Sequence, residues 1–543
     1  MITKNTHFEK RSYIPIFLVM FGLIFARYCY YGFEYFYQLD DYIQYHNFTA
    51  YNNNLWALIV KNGMLSARPL AGLCDLFVWS HFYKLMIVAV GIISAMYAAA
   101  AVFLHRVFSK HFGTGYLFFV IFALMPLGFE GTYWVSASSR IVVGLFFASA
   151  SLLFFDKWCD DGKKRNLVLF AAVQFVSFCF YEQIILFSGA ATLVIMLCNT
   201  KKPRNTRARF GLLMFINAAL YFAITKLAPS GIYNERAVLF LPWQEDYGKF
   251  IFYPLLAQIK AVFLGGSGGT LGKGLVRGFN LLISDPNAVY VIFILAACAA
   301  LFFISKNMKR QNISFFSEFF TGAFLAIIPV IIFFVIKNPW FGLRNAMPSF
   351  CGLALMGDAL FDLVFGRFKR GYIAEAALVS ILALLCCVAS VSEIHDYRET
   401  TIADTAIASA AVEAIESSGI SYDDDIWLLN VNPSYVKDGN LYFHEHDNGV
   451  TSSSWAMTGA IEAISGTNDS SLIPDAVPIS TANPYEVEKS KVGASMSLWY
   501  TGKSFVPVSI TKTGSDTWKI TEKSGEQLGT LENLYGMIYL KIK

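Results

Sequence analysis

Residues 37–48 read YQLDDYIQYHNF, with Asp40 and Asp41 adjacent shortly after the first long apolar stretch. Carboxylates at a membrane edge can deprotonate a hydroxyl or hold a divalent cation such as magnesium or manganese. Further single charges sit among aromatics at the ends of apolar runs. These are Arg68 in LSARPLAG, Glu130 and Arg140 in GFEGTYWVSASSR, Glu182 in FYEQ and Arg344 in WFGLRNAMPS. Arginine offers a planar, permanently charged fork that matches phosphate. Tyr133, Trp134 and Trp340 offer faces suited to sugar rings, and Tyr181 and Asn345 flank two of the charges as further substrate-binding candidates. Acid, arginine and aromatic together point to an anionic, hydroxyl-bearing substrate, a description that a sugar on a lipid phosphate meets.

Each of these residues also has a structural reading. Adjacent aspartates can be solvated or can cap a helix, and Glu182 can be a solvated hairpin tip. Arg68 precedes Pro69 and can end one helix and open the next. Arg140 and Arg344 can snorkel to the interface, where aromatic residues also gather in belts. FHEHD at 443–447 has metal-like residue types but reads as a polar turn. GGSGG at 265–269 lacks the Lys-Ser/Thr of a phosphate loop and reads as a flexible hinge.

The elements that must position these residues belong to a membrane. Of 543 residues, 55% are hydrophobic and only 15% charged, with a mean hydropathy of +0.48; soluble domains carry about 25% charged residues. A net charge of +4 gives no ground for a nucleic-acid partner. None of the nine cysteines lies beyond Cys387, so the polar C-terminal region has no internal disulfide. No CxxC or Cys/His zinc spacing occurs. Lys4, Lys10 and Arg11 precede an apolar run with no small-residue cleavage site, so that run is expected to be a retained first span.

A span needs about 20 apolar residues. Eleven are expected, at 13–33, 83–105, 114–129, 134–156, 164–181, 183–200, 208–228, 288–306, 315–336, 345–365 and 371–391. Reading 164–200 as a hairpin with Glu182 near its tip puts the basic loops HRVFSKHFG, DKWCDDGKKRN, CNTKKPRNTRAR, SKNMKRQN and GRFKRG on one side with the N-terminus. The positive-inside rule then makes that side cytoplasmic and the C-terminus exoplasmic, in a multi-pass protein of the plasma or inner membrane. The expected fold is an all-α polytopic membrane protein, residues 1–391, with a small exoplasmic α+β domain, residues 392–543. External loops span 34–82 and 229–287, the second with an amphipathic helix at FIFYPLLAQIKAVF. The C-terminal domain is expected to open with the helix TTIADTAIASAAVEAIESS and to contain the strands DIWLLNV, SMSLWY and MIYLKI.

This layout resembles the GT-C superfamily of integral membrane glycosyltransferases. The features that carry it are the cytosolic N-terminus, the first external loop opening with Asp40–Asp41, and the interfacial stretch before the second span. SARPLAGL, EGTYWVSAS, YEQ and LRNAMPS look similar to segments of bacterial members related to O-antigen glucosyltransferases. No WWDYG-type motif occurs, which sets the chain apart from oligosaccharyltransferases. The resemblance implies inverting transfer of a sugar from a polyprenyl-phosphate donor to a cell-surface glycan or glycolipid acceptor among membrane lipids. Asp40 or Asp41 would be the base, optionally with a divalent metal between them. Arg68, Arg140 or Arg344 would stabilise the leaving phosphate, and Glu130, Trp134, Tyr181, Glu182 and Asn345 would line the substrate site. A transporter or flippase of lipid-linked saccharides, a polysaccharide polymerase or ligase, and a membrane scaffold are the competing classes.

Overall fold

The computed structural model describes residues 13–47, 59, 64–199, 201–228, 238–306, 315–337, 339–366, 368, 370–419, 425–432, 449–466, 476–482, 484–486, 492–493 and 496–543. FHEHD lies outside them. Among the described residues, eight helical segments are long and apolar enough to cross a membrane: Trp79–Phe112, Val135–Asp161, Arg204–Leu227, Gly248–Ser284, Ala288–Lys306, Phe315–Val335, Leu343–Phe365 and Gly371–Ser418. Ile14–Ala26, Leu117–Tyr133 and Gln183–Cys198 are apolar but shorter.

By length and composition the count is therefore eight and not eleven, for local reasons. The first helix stops at Ala26 because the next residue, Arg27, is buried and donates to the carbonyls of Ala123 and Leu124. The 114–129 stretch breaks before Pro126, which cannot continue a helix without losing a hydrogen bond. The hairpin at 164–200 is present as Lys164–Phe178 and Gln183–Cys198, with Gln174 Nε2 donating to Ser188 Oγ between them (2.9 Å).

The second loop is more helical than expected. Residues 248–284 within it form a 37-residue apolar helical run, and GGSGG lies inside that run instead of forming a hinge. Close packing explains two of the glycines, Gly266 and Gly278, whereas a Cβ on Gly265 or Gly268 would meet nothing within 4 Å. A Cβ on Gly266 would meet Leu343 and Leu127 at 2.8 and 3.1 Å, and one on Gly278 would collide with the Val388 carbonyl oxygen. Gly278→Leu is accordingly expected to destabilise the protein by about 1–3 kcal/mol through overpacking. A lowered midpoint of thermal unfolding in detergent checks this.

Gly371–Ser418 is one unbroken helix of 48 residues. At about 1.5 Å per residue it is roughly 72 Å long, more than twice a hydrocarbon core of about 30 Å. The boundary expected at 391/392 thus falls inside a helix that runs from the bundle into the C-terminal region. There it supports the helix Ser454–Ser465 and an eight-stranded sheet of order β2-β1-β4-β5-β6-β7-β8-β3. The strands are β1 Ile426–Leu429, β2 Ala476–Ile479, β3 Tyr485–Glu486, β4 Met496–Tyr500, β5 Phe505–Lys512, β6 Thr517–Glu522, β7 Gln527–Leu534 and β8 Met537–Ile542. The three expected strands correspond to β1, β4 and β8. β1 runs parallel to β2 and β4, and the rest pair antiparallel. Alternation along β1 sends Ile426 and Leu428 into the helical core and Trp427 and Leu429 into a second apolar cluster with Trp499 and Trp518.

The two ends of the bundle differ in charge. At one end Lys110 pairs with Asp156 and Asp160 (2.6 and 2.7 Å), and Lys201 pairs with Asp160 (3.2 Å), which brings three of the basic loops together. At that end Glu318, Asp358 and Glu375 accept from Thr114 Oγ1, Gly115 N and Tyr116 N. The acid pair lies at the other end, beside the C-terminal domain.

Candidate active site

Asp41 is fully buried. Its Oδ2 accepts from the Tyr35 hydroxyl (2.6 Å) and the Gln38 amide (3.0 Å), and its Oδ1 accepts from the Ser136 amide (3.3 Å). The Tyr35 hydroxyl also accepts from Val135 N (3.0 Å). The first loop therefore caps the helix Val135–Asp161, taking two N–H groups that have no partner inside that helix. The capping alternative describes Asp41. Tyr133 reinforces the join by accepting from Phe36 N (2.7 Å).

Asp40 is placed differently. It is partly exposed, and its Oδ1 accepts from the indole Nε1 of Trp455, in the C-terminal domain, at 2.9 Å. The turn that leads into the two carboxyls is strained, because Leu39 adopts φ +36°, a left-handed conformation unfavourable for a branched side chain. Such strain persists where surrounding contacts enforce it; here Gln38 donates to the Tyr397 carbonyl and to Thr401 on the 371–418 helix.

Burial pushes the Asp41 carboxyl from its ordinary 3.8 up to about 8, against the hydrogen bonds it receives from Tyr35, Gln38 and Ser136. Between those values the folded protein keeps a proton that the unfolded chain has released, so stability falls as pH rises. Wild type is expected to melt lower at pH 8 than at pH 5, with a smaller difference in Asp41→Asn. Thermal unfolding at the two pH values checks it.

Around this loop the arginines form a connected network. Arg140 donates to Asp75 Oδ2 (2.5 Å), Gln44 Oε1 (3.3 Å) and the Ser136 carbonyl. Burial pushes Asp75 up to about 6, with Arg140 opposing the rise. Arg344 lies over the Trp134 ring, 5.0 Å from its centre, with Nη1 3.8 Å from Glu130 Oε1. Trp134 directly precedes the capped Val135 and Ser136, and its buried indole N–H has no hydrogen-bond partner among the described residues. Asn345 Nδ2 donates to the Tyr181 hydroxyl (2.6 Å). The face of Tyr181 carries Arg68 at 4.5 Å, and Arg68 holds Glu182 through two hydrogen bonds of 2.8 and 2.7 Å. Burial would raise the Glu182 carboxyl; Arg68 overrides it, helped by Arg140, and holds it below its usual range.

All ten candidate residues are thus linked through side-chain contacts and chain adjacency, Asp40 joining as the neighbour of Asp41. Arg68 also opens the helix Pro69–Phe77, as its structural reading expected. Trp340 is 55% exposed and Tyr133 supports the loop. Missed by sequence reasoning were Tyr35, Gln44, Asp75 and Trp455; of these only Asp75, a lone acid in the apolar PLAGLCDLF, carried a signal.

The carboxyls do not fit a shared divalent cation, since N–H and O–H donors fill both Asp41 oxygens and Asp40 Oδ1. Among the described residues no group of three or more His, Cys, Asp or Glu is arranged as a metal site. An open groove of about 540 Å³ lined by Phe21, Phe25, Phe33, Ile87 and Gly91 is apolar and lies on the flank of the bundle, so it supplies no chemistry. No family model matches the sequence, and no curated protein matches it.

Proposed function

We propose that the protein is a membrane glycosyltransferase that moves a sugar from a polyprenyl-phosphate donor to a glycan or glycolipid acceptor. The observation that carries this reading is the gathering of Asp40 and three arginines in one network with Trp134 and Tyr181. That network lies at the end of the bundle opposite the joined basic loops. The positive-inside rule makes this end exoplasmic.

In this reading Asp40 takes the proton from the acceptor hydroxyl as the oxygen bonds to the anomeric carbon. The bond from that carbon to the phosphate oxygen breaks, and the lipid phosphate leaves as an anion. Arg344 and Arg68, each placed over an aromatic ring and partly exposed, stabilise the charge that develops there. Asp41 positions the loop and does not meet the substrate.

Incubating the purified protein with labelled polyprenyl-phosphate sugars and envelope glycans tests the proposal. Time-dependent formation of a glycosidic bond is expected. A donor left intact in every combination, with and without magnesium or manganese, would remove the reading. Movement of the intact donor across proteoliposomes without a new bond would favour the transporter.

A further inference from the structure

Trp455 stands out from the other large apolar residues of the C-terminal region. The residue is 46% exposed, while its indole N–H is committed to Asp40, in a loop 415 positions earlier. The helix that bears it is firmly seated. A Cβ on Gly459 would come within 3.0 Å of Ile43 N and 3.2 Å of the Tyr42 carbonyl carbon, so helix and loop touch backbone to side. Val450 N donates to Asp404 Oδ1 (3.0 Å) on the 371–418 helix, and Ala476 N of β2 donates to Thr458 Oγ1 (3.0 Å). Ser454 Oγ shares a 2.6 Å hydrogen bond with the Tyr485 hydroxyl. A rigidly mounted indole therefore shows its face to solvent at hydrogen-bonding distance from Asp40.

We infer that Trp455 forms the acceptor subsite: its face stacks on a hexopyranose ring of the acceptor, and its N–H aims Asp40 at that ring's hydroxyl. The ligand class rests on the glycosyl-transfer reading. The C-terminal domain then supplies part of the site and is not an appendage. An indole face suits the apolar C–H side of a pyranose, and its polar edge stays free to hydrogen-bond.

The test uses the full chain in a detergent without a sugar headgroup. Methyl glycosides of glucose, galactose, mannose, rhamnose and N-acetylglucosamine, with disaccharides of each, are screened by saturation-transfer NMR. At least one is expected to bind wild type, to bind Trp455→Ala about tenfold more weakly, and to bind Trp455→Phe nearly as well. In transfer assays Trp455→Phe should keep the acceptor KM but lower kcat about tenfold through the lost N–H. Trp455→Ala should in addition raise the acceptor KM and leave the donor KM unchanged. Thermal unfolding confirms that both variants fold. Equal sugar binding by wild type and Trp455→Ala, or no binding of any probe at tens of millimolar, would overturn the subsite. Wild-type transfer with an unaltered acceptor KM in Trp455→Ala overturns the subsite alone. Trp455-dependent sugar binding without any transfer keeps the subsite and removes the chemistry.

Discussion

Asp40→Asn is expected to lower the rate of transfer by about 10²–10⁴-fold, the usual contribution of a general base, with substrate KM values and thermal stability close to wild type. The amide is isosteric and still offers an oxygen to the Trp455 indole, and the side chain is partly exposed, so folding has no reason to change. Asp41→Asn should behave otherwise. A carboxyl oxygen accepts from a backbone N–H in either protonation state, whereas an amide NH₂ cannot. One of Tyr35, Gln38 or Ser136 is then left facing a second donor in a buried place, at a cost of about 1–3 kcal/mol. The signature is a lower melting temperature together with reduced activity. Parallel kinetics and unfolding of the two variants separate the roles. A well-folded Asp41→Asn that has lost turnover beside an active Asp40→Asn would exchange them. Two active variants would leave the reaction without its base.

The division of labour within this pair was not legible in the sequence, because nothing local distinguishes Asp40 from Asp41. Asp41 is buried by Val135 and Ser136, about 95 residues later, and Asp40 is met by a tryptophan 415 residues away. What the sequence did carry was grouping. Glu182 as a lone charge between two apolar runs placed a hairpin correctly, and the basic loops on either side of it come together in the fold. The same reasoning failed where tertiary packing overrides local preference. GGSGG reads as a hinge residue by residue, yet it lies inside one helical run, and the missing side chain of Gly266 is what lets that run lie against Leu127 and Leu343. The change from apolar to polar composition near residue 391 looks like a domain boundary. The backbone ignores it, since Ala-rich sequence continues the helix as readily outside a membrane as inside one.

That uninterrupted helix matters for the chemistry. Gln38 and Tyr37 of the first loop bond to Tyr397 and Thr401 on it, and Asp404, one turn further on, anchors the segment that leads to Trp455. A single rigid element therefore fixes both the acid-bearing loop and the domain that touches it.

Arg68→Ala is expected to lower kcat/KM for the lipid-phosphate donor by about 10²–10³-fold, the range for removing one preorganised group that stabilises transition-state charge. Loss of an exposed surface pair would cost far less. The pair with Glu182 is only about one third exposed, at 34% and 37%, and removing Arg68 also takes the cation from the Tyr181 face. Stability is therefore expected to fall as well, and the single variant cannot separate architecture from chemistry. Exchanging the charges, Arg68→Glu with Glu182→Arg, does so. If the two residues serve only to pin the 183–198 helix to the start of the 69–77 helix, the exchange should restore melting temperature and transfer together. If Arg68 meets the donor phosphate, the exchange should restore melting temperature while donor kcat/KM stays low, because a carboxylate then occupies the place above Tyr181 where the guanidinium faced the phosphate. Recovery of both quantities in the double variant would assign the pair to the scaffold and leave Arg344, over Trp134, as the cation that receives the leaving group.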